Sequence, residues 1–458
     1  MGSRDKDFRT AIRKVAHLLD IWLPWKIQYD RVPGLAVGVT FNGKLVYQRG
    51  FGLADIELEK PITTETSFRI ASISKTFTAV AILQLAQKGK LRLDDRVDTY
   101  LPWFKAKDKN RDAHNITIRQ LLSHTAGVFR DGIASQWADG VFPTAGELRR
   151  SISNKTVVYE NSTRFKYSNF GFALLGEVIQ AVCDMTYEQY VTRNIIKNLG
   201  MRCTAADYTP STASWLAEGY WRSIPGVDRR ECFPHIRTNA YAPATGFISN
   251  VPDLAKFLSA LSLKRDDDTL LDRESKKIMM QAHQDTGVEG KSYGLGLDIK
   301  TIAKQKIIGH GGGFPGFTTH VDLDVENDIG VIALSNTNAN TASVISPGIL
   351  ESIYHVVDAS KEKGKHIADQ QKYEGIYRAR WNDEIVVGLD SHLISFDPRT
   401  NSPLKDGTVL KPKGRNTFAM ETDFNFDATG ESARFLFNRK DKKAKTLLYG
   451  PTPYQRVS

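Results

Sequence analysis

The sequence is poor in cysteine: Cys183, Cys203 and Cys232 are the only three in 458 residues. An odd, sparse set builds no disulfide framework, and the spacing matches no zinc knuckle. It points to a reducing compartment and a cytoplasmic chain. The 10 histidines include no H-E-x-x-H pair, so no metal site and no cofactor are expected. Long apolar runs are also missing; none approaches the roughly 18 residues of a membrane span. No apolar core of a secretory signal follows the first basic residues. The opening Met1-Gly2-Ser3 is compatible with an added start, so a removed leader stays open. Internal repeats and low-complexity tracts are absent.

What is present is ordinary for a globular protein. Hydrophobic residues make up 41% and charged residues 25%, enough for a sizeable core. The length suits about two or three domains. The net charge is +10, but basic residues are interspersed with acidic ones. The densest basic run, "RKDKKAK" at 439–445, lies between two strand-like segments. It reads as a solvated hairpin loop, and nucleic acid is not an expected partner.

Along the chain, Phe8, Ile12, Val15, Leu18, Leu19 and Trp22 share one side of a helical pattern, as in a helix packed on a sheet. "GLAVGVTFNGKLVYQRGFG" follows, two β-rich runs around Asn42-Gly43, a strong hairpin signal. A helix is expected from near Ser72 to Lys88, capped by Gly89. Others are expected at 117–122, 170–182, 187–199 and 253–263, and a last one at 342–357. Strands return in "TTHVDLDV" and "GVIALSN". Strands thus open and close this region while helices fill its middle. That is an α+β layout in which strands from both ends can share one antiparallel sheet. A polar stretch at 358–371 reads as a linker. Beyond it, "GIYRARW", "EIVVGL", "HLISF", "TFAME", "ARFLFN" and "KTLLYG" predict a small antiparallel barrel. The expected domains are therefore 1–357, a linker at 358–371, and a barrel at 372–458.

Three stretches carry chemistry. In "FRIASISKTFTAV", Ser72 and Lys75 are one helical turn apart and share a face. A serine hydroxyl is a weak nucleophile until a base takes its proton, and a lysine in a dry pocket can do that. S-x-x-K alone is a weak signal. It recurs at Ser3/Lys6, Ser360/Lys363 and Ser402/Lys405, but only Ser72 precedes a long apolar helix. A plain N-cap serine is the competing reading. In "RFKYSNFGF", Tyr167 and Asn169 stand just before a helix. A phenol beside a lysine ammonium loses its proton more easily and can act as base, then acid. Tyrosine packing and an asparagine cap are the bland alternative. The third stretch is "GHGGGFPGF". Gly311, Gly313 and Gly316 fit G-x-G-x-x-G, yet Pro315 and a second strand follow where a dinucleotide loop needs a helix. Glycines in a strand instead let a ligand or backbone come close.

Taken in order, "SISK", "YSN" and "HGG" resemble the three motifs of serine β-lactamases and penicillin-binding peptidases: S-x-x-K, Y-x-N and K-T-G or H-x-G. The class C-like branch is the most similar, including D-alanyl-D-alanine carboxypeptidases, D-aminopeptidases and related esterases. "PGLAVGV", "LLSHTAGV", "LGM" and "PATGFISNVPDLAKF" resemble that branch too, and the likeness spans roughly residues 30–355. The tail resembles the lipocalin-like barrel of some relatives. The resemblance implies a class C β-lactamase-like antiparallel sheet flanked by helices, with an all-helical subdomain. It implies Ser72 as the acylated nucleophile, with Lys75 taking or relaying its proton. Tyr167 becomes the general base and acid, and Asn169 contacts Lys75 and the substrate amide. His310 stands at the position of the motif lysine, orienting Tyr167 or a substrate carboxylate. Backbone N–H groups of Ser72 and Gly313 form an oxyanion hole, with Gly312 in the substrate-binding strand.

The chain departs from the family pattern in places. His310 is neutral or partly charged at pH 7 where lysine is usual, which weakens anchoring of an anionic β-lactam. "ENST" precedes the second motif instead of Pro-Gly, and "TGF" replaces Gly-Gly-Leu near 246. The expectation is a serine hydrolase working through an acyl-enzyme, foremost a peptidase on small or D-amino-acid-containing peptides. Esterase or weak β-lactamase activity are the alternatives, and a catalytically silent binding or scaffold protein is the reading from another class. Expected partners are a small peptide, amide or ester substrate; a homo-oligomer is compatible with the chain.

Overall fold

A computed structural model describes residues 3–104, 115–152, 156–224, 226, 230–359, 367–421, 429–439 and 441–457. The chain divides into two compact units. One runs from Val32 to Ser346; the other joins Met1–Arg31 to Pro347–Ser458.

The first unit is built on a nine-stranded sheet. From edge to edge its strands are Lys60–Pro61, Lys44–Asp55, Gly34–Phe41, Ile329–Ser335, Phe317–Asp324, Gln305–Phe314, Asp298–Ile302, Lys291–Tyr293 and Gln284–Asp285. Strands from both ends of the region do meet in one antiparallel sheet: Val37 lies opposite Ala333, and Val39 opposite Val331. All eight residues of Gly34–Phe41 are buried, which is why this strand reads as a continuous apolar run. Asn42 and Gly43 turn the hairpin with φ of 49° and 69°, the double positive φ of a type I′ turn.

Helices fill the middle as expected. Ser74–Gln87 is buried from Ser74 through Leu85; a helix apolar all round belongs inside a core. Phe77 stacks on Phe257 and Phe247 at centroid distances of 3.8 and 4.5 Å. Val251–Leu261 packs on strands Gly34–Phe41 and Ile329–Ser335. Its Val251 Cγ1 stands 2.4 Å from where a Cβ on Gly38 would be, so only glycine admits this approach. Asn169–Cys183 is capped by Ser168, whose Oγ accepts from Gly171 N–H at 2.8 Å. The helix expected at 187–199 runs as Tyr187–Val191 and continues as a wider π turn, Thr192–Ile196.

In the second unit, eight antiparallel strands close a barrel from Gly375–Arg378 to Thr452–Arg456, with Tyr377 opposite Arg456 at the seam. Six strand segments are legible in the sequence; Thr408–Gly414 and Thr452–Arg456 are additional. Both contain a proline, which argues against a strand because it cannot donate to the ladder. At Pro412 the register shifts, as in a bulge. Tyr373, Tyr377, Phe418 and Phe435 anchor the barrel core. The basic run 439–445 joins the paired strands Ser432–Leu436 and Thr446–Tyr449, with Lys440 outside the described residues. Half of the expected linker, 360–366, lies outside them; helix Thr341–Ala359 reaches its start.

The N-terminal helix Ser3–Tyr29, expected on the sheet, belongs to the barrel's compact unit. Three residues on successive turns explain this. Trp22 Nε1 donates to Pro398 O at 3.2 Å, Lys26 Nζ donates to Arg399 O at 2.8 Å, and the Tyr29 hydroxyl donates to Asp383. Among the described residues, no helix is long and apolar enough to cross a membrane.

Candidate active site

Ser72 sits on a 3₁₀ turn, Ala71–Ile73, directly before helix Ser74–Gln87. Ala71 has a φ of 51°, a strained value for a residue with a Cβ. Ser74 holds the turn: its hydroxyl donates to Ala71 O at 2.5 Å and accepts from Phe247 N–H at 3.0 Å. The helix begins two residues later than the sequence suggests, so Ser72 stands in the turn and Lys75 in the first helical turn.

Lys75 is fully buried. Its Nζ lies 3.1 Å from Ser72 Oγ, 2.7 Å from Asn169 Oδ1 and 2.8 Å from Ala244 O. The rings of Tyr167 and Phe172 lie alongside, at 4.8 and 5.6 Å. Burial pushes the ammonium well below its ordinary value, against the carboxylates of Asp131 and Asp298. A neutral amine has two N–H groups and a lone pair. Two neighbours, Asn169 Oδ1 and Ala244 O, can only accept, so the lone pair is left for the Ser72 hydroxyl.

The Tyr167 phenol interacts with Ser72, which favours its ionised form. Its proton is held more tightly than expected from a neighbouring ammonium: burial raises the phenol, and the interaction with Ser72 only partly offsets this. Burial outweighs any easing of its ionisation. The Tyr167 ring rests on the buried His124 ring at 4.3 Å. His124 Nδ1 accepts from Ser168 N–H at 3.1 Å, so in the neutral ring Nε2 carries the hydrogen. Burial, foremost, pushes His124 well below its ordinary value.

His310 lies in strand Gln305–Phe314. Its Nδ1 is 2.6 Å from Gly311 O, which only accepts, so Nδ1 carries the hydrogen. Its Nε2 therefore accepts from the Tyr293 hydroxyl at 2.9 Å. Burial lowers its pKa, which keeps the ring neutral. Both nitrogens are thus occupied, and the Tyr167 ring is 6.3 Å away. His310 reaches the centre through Tyr293 and its own strand. That strand closes tightly on the Ser72 turn. A Cβ on Gly312 would meet Ile70 O at 2.3 Å, while Gly313 faces open space. Thr319, on the next strand, donates to the same Ile70 O at 3.0 Å. Ser72, Lys75, Tyr167, Asn169, Gly312 and His310 thus lie near one another.

Other residues at the site were not singled out from the sequence. Asp131 Oδ1 accepts from Asn169 Nδ2 at 2.6 Å and from Trp137 Nε1 at 2.8 Å. This orients the Asn169 amide, leaving Oδ1 for Lys75. The Trp137 ring contacts Phe142 and Phe314 at 5.1 and 5.9 Å, and Phe314 follows Gly313 in the strand. Asp131 falls in irregular chain, where no periodicity marks it. Tyr293, at a strand end, is equally unmarked.

The beta-lactamase family model matches residues 13–351. The chain belongs to the beta-lactamase family. Among curated relatives, protein flp of Staphylococcus aureus (strain MW2) is 27% identical over 326 residues. That match covers 70% of this chain and 63% of flp, so the chain spans under two thirds of that relative. A penicillin-binding protein of Bacillus subtilis (strain 168) is 26% identical, covering 69% of this chain and 70% of its own. The octameric penicillin-binding protein homologue from Pyrococcus abyssi superposes with a TM-score of 0.64 at 25% identity, covering 94% of this chain and 97% of its own. SurE does so at 0.63 and 22% identity, covering 98% and 99%. Both likenesses run through the C-terminal barrel as well as the beta-lactamase-like unit.

Proposed function

We propose that this beta-lactamase-family chain is a serine hydrolase that works through an acyl-enzyme on Ser72, foremost a peptidase on small or D-amino-acid-containing peptides. The observation that carries the reading is the Lys75 amine, buried, with two acceptors and Ser72 Oγ around it. In acylation, Ser72 Oγ bonds to the scissile carbonyl carbon as its proton passes to Lys75 Nζ. Backbone N–H groups of Ser72 and Gly313 receive the oxyanion. Tyr167, protonated at rest and beside Ser72, relays the proton to the leaving amine as the carbon–nitrogen bond breaks. Water then attacks the ester, its proton taking the same route back. Phe314, which follows Gly313, and the Trp137 and Phe142 rings against it favour an apolar side chain next to the scissile bond. With His310 neutral, the site lacks a charge there to hold a β-lactam carboxylate. Esterase activity is the next reading on the same site. The octameric homologue supports a homo-oligomer for this chain too.

The test is covalent labelling with a fluorophosphonate, followed by mass spectrometry, beside turnover of L- and D-peptides, esters and nitrocefin. One label on Ser72 is expected, with no label and no turnover in Ser72→Ala. Full turnover by Ser72→Ala would overturn the mechanism. Labelling without turnover of any substrate would leave a silent binding protein.

A further inference from the structure

The barrel unit holds a feature that the hydrolase site does not use. A cavity of about 720 Å³ opens among its described residues, within the range of small-ligand sites. Its apolar wall is Tyr373, Phe418 and Phe437, with ring centroids 5.1 and 5.9 Å from Tyr373. Tyr373 and Phe418 belong to the buried barrel core and Phe437 packs against it, so the rings are held in place. The Tyr373 hydroxyl donates to Asn416 Oδ1 at 2.9 Å, which turns the Asn416 N–H₂ into the free donor of that amide.

Around these rings stand Lys372, Lys413, Arg415 and Lys442. Among the described residues, none of the four is in an ion pair. Some other barrel cations are paired: Lys411 with Glu421 at 2.7 Å, Arg378 with Asp383 at 2.7 Å, and Arg399 with Asp397; among the described residues Arg380, Arg434 and Lys443 are not, but they do not line the cavity. The lone carboxylate at the cavity, Asp441, is shared with Lys445 at 4.0 Å. Four like charges gathered at one concavity repel one another unless a counter-ion sits among them. A solvated lysine face accounts for the charge, but not for an aromatic-walled cavity beneath it.

We infer that the barrel mouth is a binding site for a small amphipathic anion: an aromatic or acyl body against Tyr373, Phe418 and Phe437, with a carboxylate or sulfonate among Lys372, Lys413, Arg415 and Lys442. Arg415 supplies a planar fork that suits such a head group, and the lysines supply point charges. The apolar body gives most of the binding and the cations select the sign of the head. The proposal is independent of the chemistry at Ser72.

Fluorescence titration of the full chain tests it with 8-anilinonaphthalene-1-sulfonate, against the neutral dye N-phenyl-1-naphthylamine. The anionic dye should saturate at one per chain, equally in Ser72→Ala. Lys413→Gln with Arg415→Gln should weaken it about tenfold while leaving the neutral dye unchanged. Both positions are exposed, so circular dichroism of the variant should match the parent. Phe437→Ser should weaken both dyes. Added salt should weaken the anionic dye alone. Binding that never saturates, or that is the same in the Lys413→Gln, Arg415→Gln chain, would overturn the proposal.

Discussion

At the scale of the residue, the protonation of Lys75 decides the behaviour of the site. Burial removes the ammonium's hydration, and Asp131 and Asp298 act in the opposite direction. Only the neutral amine can accept from Ser72, so kcat/KM should fall on the acid side as Lys75 gains its proton. Asp131 stabilises that proton, and removing its charge lowers the Lys75 pKa further. Asp131→Asn keeps an oxygen to accept from Asn169, so its main effect is electrostatic. The acid limb of the pH–kcat/KM profile should therefore move to lower pH, with kcat at the plateau changed little. A limb that moves to higher pH would show that Asp131 acts otherwise. Lys75→Arg tests the same group more harshly, since guanidinium does not deprotonate. It should lose roughly 10²–10⁴ in kcat, the usual worth of a positioned base.

At the scale of the element, the glycine-rich strand and the Ser72 turn must stay in contact. Ile70 O lies where a Gly312 Cβ would be, and Thr319 holds the same oxygen. Gly312→Ala forces the strand off the turn by a fraction of an ångström. The expected outcome is a loss of up to about 10²-fold in kcat/KM from misplaced groups. A thermal midpoint should fall modestly, because the strand is otherwise paired along its length. Unchanged kinetics would mean that the strand does not set the geometry.

The elements were largely legible in the sequence, and for local reasons. Ser72 and Lys75 are three residues apart and directly precede a long apolar helix, so the spacing and that helix together mark them. The Asn42-Gly43 hairpin is equally local. What was not legible depends on contacts between distant segments. Asp131 gains its meaning from Asn169, and Tyr293 from His310; neither has a pattern of its own. Two barrel strands were hidden by Pro412 and Pro453, which sit where the barrel tolerates a missing donor. The N-terminal helix showed its apolar side plainly, but an apolar side does not name its partner. Trp22, Lys26 and Tyr29 name it only once Pro398, Arg399 and Asp383 are in place.

At the scale of the whole molecule, that helix makes the barrel's unit discontinuous in sequence. Cutting the chain after residue 359 therefore strips the helix of its hydrogen-bond partners while leaving Trp22 behind. Such a truncated chain should aggregate. A second one, also lacking residues 1–31, should be the better behaved of the two in solubility and thermal unfolding. The reverse ranking would show that the helix depends on residues 32–359.

The pairing of Gly34–Phe41 with Ile329–Ser335 has a consequence for how the protein is made. Leu35 finds its neighbour in Ser335, a contact of very long sequence separation, and such contacts close late. During synthesis the first strand waits until nearly the whole unit has left the ribosome. Ser72 and Lys75 emerge early, yet the amine has no Ala244 carbonyl to hold it until much later. On the proposed mechanism, the nascent chain carries Ser72 and Lys75 without their setting until the last strand closes the sheet.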